Sequence, residues 1–415
     1  MNPYRVWAEI DLDALSSNLA AISKRAGHGV GTMLVVKADA YGHGAVAIAH
    51  HAVRCGVASF GVGTSAEALE LRLSGIKQPI LVLGTVVDGE VPSLLEHGIE
   101  IGLHSTDRAE KLQLQGQEAG LIARVHVNID TGMGRLGVGP GKALELLEAI
   151  SDSSNLELAG VMTHISSAEG AQDPRTSEQV RLFDKTLSLA RARGLELGQV
   201  HISNSASLFT GLNPLHDLVR PGISAFGILP GDLPGSEELI PVLSLKSQVV
   251  FLKDVPNGSA VGYGSTWRAS GDHRIATLPV GYNDGVSWRL SNRGEVLVRG
   301  QRAPIVGRVS MDYTTIDVTH IPDVAVEDVV TILGEDGDER INVEEVARTA
   351  ETIPYEITCA VGRRVKRVCI GGEDLVLAPQ APRETRTQEP EACQEEPKIA
   401  AELPNEAAVR SSDER

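Results

Sequence analysis

The amino-acid sequence predicts an α/β protein, a (β/α)8 TIM barrel followed by a mainly-β C-terminal domain. Three observations carry this. Between residues 30 and 227, eight apolar, β-rich runs alternate with segments of helical periodicity. Polar side chains gather at the C-terminal ends of those runs. After about residue 235 the alternation gives way to short β-runs separated by turn signals.

The eight runs are 32–37, 59–64, 80–84, 100–104, 123–130, 158–164, 199–205 and 218–227. Between them, segments such as 66–73 and 176–192 have helical spacing, and 91–96 and 207–212 are shorter and weaker. A doubly wound open sheet is the alternative for such repeats, but no strong Gly-rich dinucleotide fingerprint follows the first run. The later β-runs are 242–252, 275–280, 295–298, 303–309, 314–318 and 328–333, set off by turns such as Pro256-Asn257-Gly258. The expected division is therefore a barrel over 1–235, a β domain over 236–375 and a tail over 376–415. From about Pro379 the chain is rich in Glu, Gln, Pro, Arg and Thr and poor in large apolar residues, a composition that predicts a disordered acidic tail.

Composition narrows the function class. With 42% hydrophobic and 22% charged residues over 415 positions, the chain reads as an ordinary soluble globular protein. Its net charge of −17 argues against nucleic-acid partners, which are bound by neutralising phosphates with Lys and Arg. No run is long enough to span a bilayer, and the first residues lack an apolar leader region. Cys55, Cys359, Cys369 and Cys393 are scattered without metal-site spacing, which predicts no metal and a reducing, cytoplasmic compartment.

The chemistry centres on Lys37. The run Met33-Leu34-Val35-Val36 reads as a buried strand that stops at this lysine, and Gly42 and Gly44 then let the chain turn into a helix. Poor solvation at a strand mouth lowers a lysine's pKa and frees the amine as a nucleophile for an aldehyde. At the same end of other runs lie Asp130 with Arg135, His164, Asn204-Ser205 and Arg220. Each has an ordinary reading: a snorkelling lysine, a turn-capping aspartate, a satisfied core histidine, an ion-paired arginine. Their common location at one barrel end favours a shared site. Ser205, ahead of a short helix, and Arg220-Pro221-Gly222-Ile223 are candidates for a phosphate cradle, since Gly222 lets backbone approach an anion. A buried lysine beside such a cradle implies pyridoxal 5'-phosphate. An arginine opposite its ring nitrogen would keep that nitrogen unprotonated, and Arg220 is the candidate.

Seven motifs in order then make the chain resemble the alanine racemases, fold-type III pyridoxal-phosphate enzymes, over roughly residues 5–372: VVKADAYGHG (35–44), DTGMGRLG (130–137), HISNSA (201–206), RPGI (220–223), VGYG (261–264), SMD (310–312) and PYEITCAVGRRV (354–365). The resemblance implies the following roles. Lys37 carries the cofactor and acts as base on one substrate face, and Tyr263 acts on the other. Arg220 meets the ring nitrogen and is supported by His201, while His164 packs beside the ring and orients Tyr263. Tyr41, Asn204, Ser205, Gly222, Ile223 and Tyr355 form the phosphate and cofactor site. Arg135 and the Met311 amide meet the substrate carboxylate or the cofactor's phenolic oxygen. Tyr355 and Tyr282 narrow the entrance, which implies a small substrate side chain. Asp312 belongs to the surrounding shell, and Glu169, Arg289 and Arg308 match a charged outer corridor. In the family the tyrosine base comes from the second subunit, so a homodimer with shared sites is implied. Two bases flanking Cα are also what racemisation needs, since one proton leaves one face and another arrives at the opposite face.

One position departs from the family. Most alanine racemases carry a carboxylated lysine two residues before DTGMGRLG, where this chain has Asn128. A neutral, shorter residue there would leave Arg135 a buried, uncompensated cation, so an anion is expected, either chloride or a rearranged carboxylate. The implied activity is interconversion of L- and D-alanine, supplying D-alanine for peptidoglycan. Three rivals remain. A broader racemase is kept open by Asn128. A decarboxylase of the same fold would want an acidic residue where Arg220 stands. A non-catalytic cofactor carrier would have no use for Tyr263 or Tyr355.

Overall fold

The structure, a computed structural model, describes residues 3–167, 173–211, 214–229, 231 and 233–372. Its centre is a closed barrel of eight parallel strands: β2 (Gly31–Val35), β3 (Ser59–Val62), β4 (Ile80–Val82), β5 (Glu100–Leu103), β6 (Ala123–Asn128), β7 (Leu156–Met162), β8 (Gln199–Asn204) and β9 (Leu218–Arg220). Pairing of Gly31 with Leu218 and Thr32 with Val219 closes the ring. The strands are short and almost wholly buried because one face meets the lumen and the other the surrounding helices. Met33, Leu81, Met162 and Leu218 form a small cluster separate from the main core, while their neighbours Leu34, Val82, Val161 and Val219 join that core, as alternation across a strand requires.

All eight predicted runs are barrel strands. Seven of them stop short of the predicted end by one or two residues, and the last stops much earlier, so Lys37, Asp130, His164 and Ser205 lie just beyond their strands, while Asn204 and Arg220 are the last residues of β8 and β9. The 218–227 run ends as a strand at Arg220 and continues as a 3-10 turn over Ile223–Phe226.

The second part is mainly β. Its largest sheet has the order β16-β15-β18-β10-β1-β20, with β19 on the side of β18. These strands are β1 (Val6–Asp11), β10 (Leu243–Gln248), β15 (Glu295–Val298), β16 (Gln301–Pro304), β18 (Val329–Asp336), β19 (Glu339–Ile341) and β20 (Lys366–Ile370). A three-strand sheet joins β11 (Phe251–Val255), β14 (His273–Leu278) and β17 (Thr314–Asp317), and a two-strand ribbon pairs β12 (Ala260–Val261) with β13 (Trp267–Arg268). Three findings differ from expectation. Of the 303–309 run only Ala303-Pro304 lies in a strand, at the end of β16. The 242–252 run is two strands, β10 and β11, broken at Val249-Val250. And β1, inside the segment assigned to the barrel, pairs antiparallel with β10 and parallel with β20. The helix Leu12–Ala26 then returns the chain to the barrel, and the two parts form one compact unit. Short helices over Val343–Thr349 and Pro354–Cys359 interrupt the β domain. The expected acidic tail lies outside the described residues.

Candidate active site

The C-terminal ends of the barrel strands open on a cavity of about 420 Å³, within the usual range for a small-molecule site. Lys37 stands at its wall on an unusual turn. Ala38, Asp39, Ala40 and Tyr41 all have φ between +53° and +54°, a left-handed helical turn made without glycine. Such backbone costs about 1–2 kcal/mol per residue, so tertiary bonds must hold it. Within the turn, amides of Ala40, Gly42 and Gly44 donate to the carbonyls of Val36, Ala38 and Asp39, each at 2.9 Å. The Ala38 amide donates to Glu67 Oε1 at 2.6 Å, the Ala45 amide to Asp39 Oδ1 at 2.7 Å, and Arg367 Nε to the Gly42 carbonyl at 3.0 Å. Glu67 is itself seated by its capping box with Thr64. The turn brings both Lys37 and Tyr41 to the cavity, with the Lys37 amine 6.0 Å from the Tyr41 ring centre. Solvent reaches Lys37 through the mouth, yet protein crowded around the amine, and then the Arg135 guanidinium, lower its pKa.

Opposite lies a cradle. Ser205 Oγ accepts the Gly222 amide at 2.9 Å, the Ser224 amide at 3.3 Å and the Ser224 hydroxyl at 3.0 Å. A Cβ at position 222 would stand 2.3 Å from the Tyr41 hydroxyl oxygen, so only glycine fits that approach. Burial, and then Tyr355, raise the Tyr41 pKa, which keeps its hydroxyl a hydrogen-bond donor. Its ring packs against Phe226 at 5.5 Å and Tyr355 at 6.0 Å. Asn204 caps the helix Ser205–Thr210 by accepting from the Ser207 amide.

Arg220 is buried at the end of β9. Its Nη2 donates to the carbonyls of Thr163 at 2.8 Å and Ile202 at 3.2 Å and lies 3.5 Å from His164 Nδ1, and its Nη1 lies 3.0 Å from His201 Nδ1. Burial brings its pKa down to about 10, which still leaves it a cation at neutral pH. Burial, then Arg220, Arg135 and Lys37, push His164 down to about 3, and burial pushes His201 well below the usual histidine range. Both rings are neutral acceptors toward the guanidinium.

Of the residues singled out in the sequence, the cavity wall collects Lys37, Tyr41, Asn128, Arg135, His164 and Arg220, together with Asn204, Ser205, Gly222, Ile223 and Tyr355. His201 sits behind Arg220. Tyr263, Tyr282 and Met311 are not on the wall of their own chain's cavity; they lie on the β domain, 73%, 45% and 53% exposed. On that domain too, Arg289 pairs with Glu351 at 3.0 Å, Asp312 with Arg364 at 2.6 Å, and Arg308 covers the Trp288 ring at 5.8 Å. Glu169 lies outside the described residues. Asp130 is a turn cap, accepting the Gly132 and Gly134 amides. The surroundings of Arg135 differ from the expectation of a buried cation. Arg135 is exposed at the mouth, and the Asn128 side-chain amide donates to the Leu136 carbonyl at 3.0 Å. The single chain therefore has no buried, uncompensated guanidinium there to call for a chloride. Glu67 was missed, although its Thr64-x-x-Glu67 spacing was a readable capping signal.

Fold and site together define a barrel enzyme that presents an amine of lowered pKa beside a buried arginine and a serine–glycine cradle. The N-terminal domain profile of alanine racemases matches residues 10–230, and the C-terminal domain profile matches 242–369. The alanine racemase of Syntrophobacter fumaroxidans is 43% identical over 360 residues, 86% of this chain and 95% of the relative. That of Halothermothrix orenii is 40% identical over 362 residues, 87% and 96% of the two chains. Among solved structures, Clostridium difficile alanine racemase superposes with a TM-score of 0.85 at 32% identity, covering 89% of this chain and 97% of that one. The Bartonella henselae alanine racemase with covalently bound pyridoxal phosphate gives 0.78 at 28% identity, over 89% and 100%. This chain belongs to the alanine racemase family and is an isomerase.

Proposed function

We propose that the protein interconverts L- and D-alanine with pyridoxal 5'-phosphate at the barrel mouth, in a homodimer whose sites each take one base from each protomer. The observation that carries this is the Lys37 amine, its pKa lowered, in one cavity with Arg220 and the Ser205–Gly222 cradle. The residues fit the cofactor. Position 222 has no room for a Cβ, the Gly222 and Ser224 amides and the Ser224 hydroxyl converge on Ser205 at the cavity wall, and Arg220 brings a buried cation to that wall. Lys37 would hold the cofactor's aldehyde carbon. Tyr41, Ser205, Gly222, Ile223 and Tyr355, with Asn204 behind them, would hold its phosphate, and Arg220 its ring nitrogen. When bound, the cofactor draws electron density from the alanine Cα and so acidifies its proton.

Lys37 then moves the proton on one face, and Tyr263 of the partner subunit moves it on the other. Arg135, and the amide of Met311 of the partner subunit, would meet the substrate carboxylate or the cofactor's phenolic oxygen. Arg220, still a cation at neutral pH, would donate to the ring nitrogen without giving up its proton. Support for the shared site comes from Tyr263, which is exposed on a domain that also exposes Tyr282, Trp288, Met311 and Tyr313. So much apolar surface suits an interface better than water. Tyr355 and Tyr282 would keep the entrance narrow, which favours alanine over larger substrates. The D-alanine made would serve peptidoglycan synthesis in the cytoplasm; among the described residues no helix is long and apolar enough to cross a membrane.

The test is D-alanine formation from L-alanine, beside a panel of other L-amino acids, with and without added cofactor. Lys37→Ala should lose the visible absorption of bound cofactor and at least about 10³-fold in turnover. Normal activity with a cofactor that borohydride still traps would sink the assignment, and equal rates on larger amino acids would favour the broader racemase.

A further inference from the structure

A line of buried polar side chains runs from the lower end of the barrel to the active site. Glu100 begins β5 and is 3% exposed; His126 on β6 and His201 on β8 are fully buried. Glu100 Oε2 lies 3.0 Å from His126 Nε2, His126 Nδ1 lies 2.9 Å from His201 Nε2, and His201 Nδ1 lies 3.0 Å from Arg220 Nη1. Gly160 on β7 makes room, because a Cβ there would stand 2.5 Å from His126 Nδ1. Glu100 and His126 are not among the residues that line the cavity.

Hydrogen-bond chemistry allows this chain one direction. A guanidinium only donates, so His201 Nδ1 must present its lone pair and the ring hydrogen must sit on Nε2. That N–H needs an acceptor, so His126 Nδ1 is also bare and its hydrogen sits on Nε2, aimed at Glu100. An ionised carboxylate only accepts, which ends the chain consistently. Arg220 has no carboxylate within ion-pair distance among the described residues; its acceptors are carbonyls and imidazoles. Glu100, whose other oxygen meets Arg124 at 3.0 Å, is the anion at the far end.

We propose that Glu100 and His126 are positioning residues for the active site, and that the Glu100 carboxylate sets both tautomers and so holds the Arg220 guanidinium in place. This rests on the reading that Arg220 meets the cofactor's ring nitrogen. In Glu100→Gln the amide can offer either oxygen or NH2 to His126. The chain can then reverse and set a His201 N–H against Arg220.

The experiment is long-range proton–nitrogen NMR on histidine-labelled protein, without and with pyridoxal phosphate, beside cofactor titration and kinetics. In the unaltered protein His126 and His201 should both carry hydrogen on Nε2 alone. Hydrogen on Nδ1 of either ring overturns the proposal, whether or not any variant folds. In Glu100→Gln the tautomers should become mixed or reversed, cofactor Kd should rise about tenfold and kcat fall about tenfold, with KM for alanine changed less than about twofold. A merely structural role would lower Tm while leaving tautomers, cofactor Kd and kcat of the loaded enzyme unchanged, and that result also overturns it. The tautomers of the cofactor-free protein do not depend on the cofactor assignment, which stands or falls separately with Lys37→Ala.

Discussion

His43 shows how much one side chain of the Lys37 motif is set by its surroundings. It is 1% exposed and stacks on Phe226 at 4.3 Å, and its Nδ1 lies 2.9 and 3.0 Å from the carbonyls of Ala40 and Tyr41. Nδ1 must therefore carry the hydrogen. Burial holds the pKa at about 4, as it holds His164 at about 3. Unfolded histidines titrate near 6.5. Above that pH neither state binds a proton and the groups contribute nothing. As pH falls from about 6.5 toward 4 the unfolded chain takes up protons that the native rings refuse, so stability falls. The limiting slope is about 1.4 kcal/mol per pH unit for each such ring. Urea unfolding between pH 7 and 5 should therefore show net proton uptake on unfolding. His43→Gln, whatever it costs in stability, should reduce that uptake by up to one proton. An unchanged pH slope would mean His43 titrates normally in the folded protein.

At the scale of elements, the left-handed turn over Lys37–Tyr41 is the clearest case of backbone held against its preference. Ala38 is exposed, so its substitution probes the backbone with little disturbance to packing. Ala38→Gly relieves the positive-φ penalty while adding freedom to the unfolded chain, and the two nearly cancel, within about 1 kcal/mol. Ala38→Val puts a β-branched side chain where left-handed backbone suits it least and should cost about 2 kcal/mol more. Denaturant midpoints of the two variants check this; equal stability of Val and Ala would mean the turn is not left-handed. The Ala-Asp-Ala-Tyr sequence carries no signal for such a turn. Its conformation comes from Glu67, Arg367 and the ring of His43, none of which is adjacent to Ala38. The barrel strands behave otherwise. Their apolar runs were legible because a strand buried on both faces must be apolar along its length. Their ends were not, because only bonds made in three dimensions decide which polar terminus leaves the sheet, as Lys37 and His164 do, and which stays in it, as Asn204 and Arg220 do.

For the whole molecule, the separation of Lys37 from Tyr263 is decisive. One chain carries a cavity without Tyr263 on its wall and a Tyr263 standing in solvent. Lys37→Ala and Tyr263→Ala proteins should each be inactive as homodimers. Unfolded and refolded together in equal amounts, they should recover about a quarter of normal activity. Half of the dimers would then be mixed, and each mixed dimer has one complete site. Verified mixed dimers without activity would place both bases in one chain.

By itself the sequence determined the barrel, the mainly-β second part and the polar strand-end groups Lys37, His164, Ser205 and Arg220 of the cavity wall, whereas Tyr41 and Tyr355 were named only through the family resemblance. The former follow from short-range regularities: two-faced burial of strands, turn residues between them and polar groups at one set of strand ends. Only the tertiary structure decided three things. It placed β1 in the second sheet, between β10 and β20, because strands with such a pattern can pair with any edge of matching register. It set Arg135 at an exposed mouth, where burial had been expected. And it joined Glu100, His126, His201 and Arg220, which come from four different strands. Each of these is a contact between residues far apart in the chain, and a hydrogen bond or a burial of that kind is determined only when the barrel has closed.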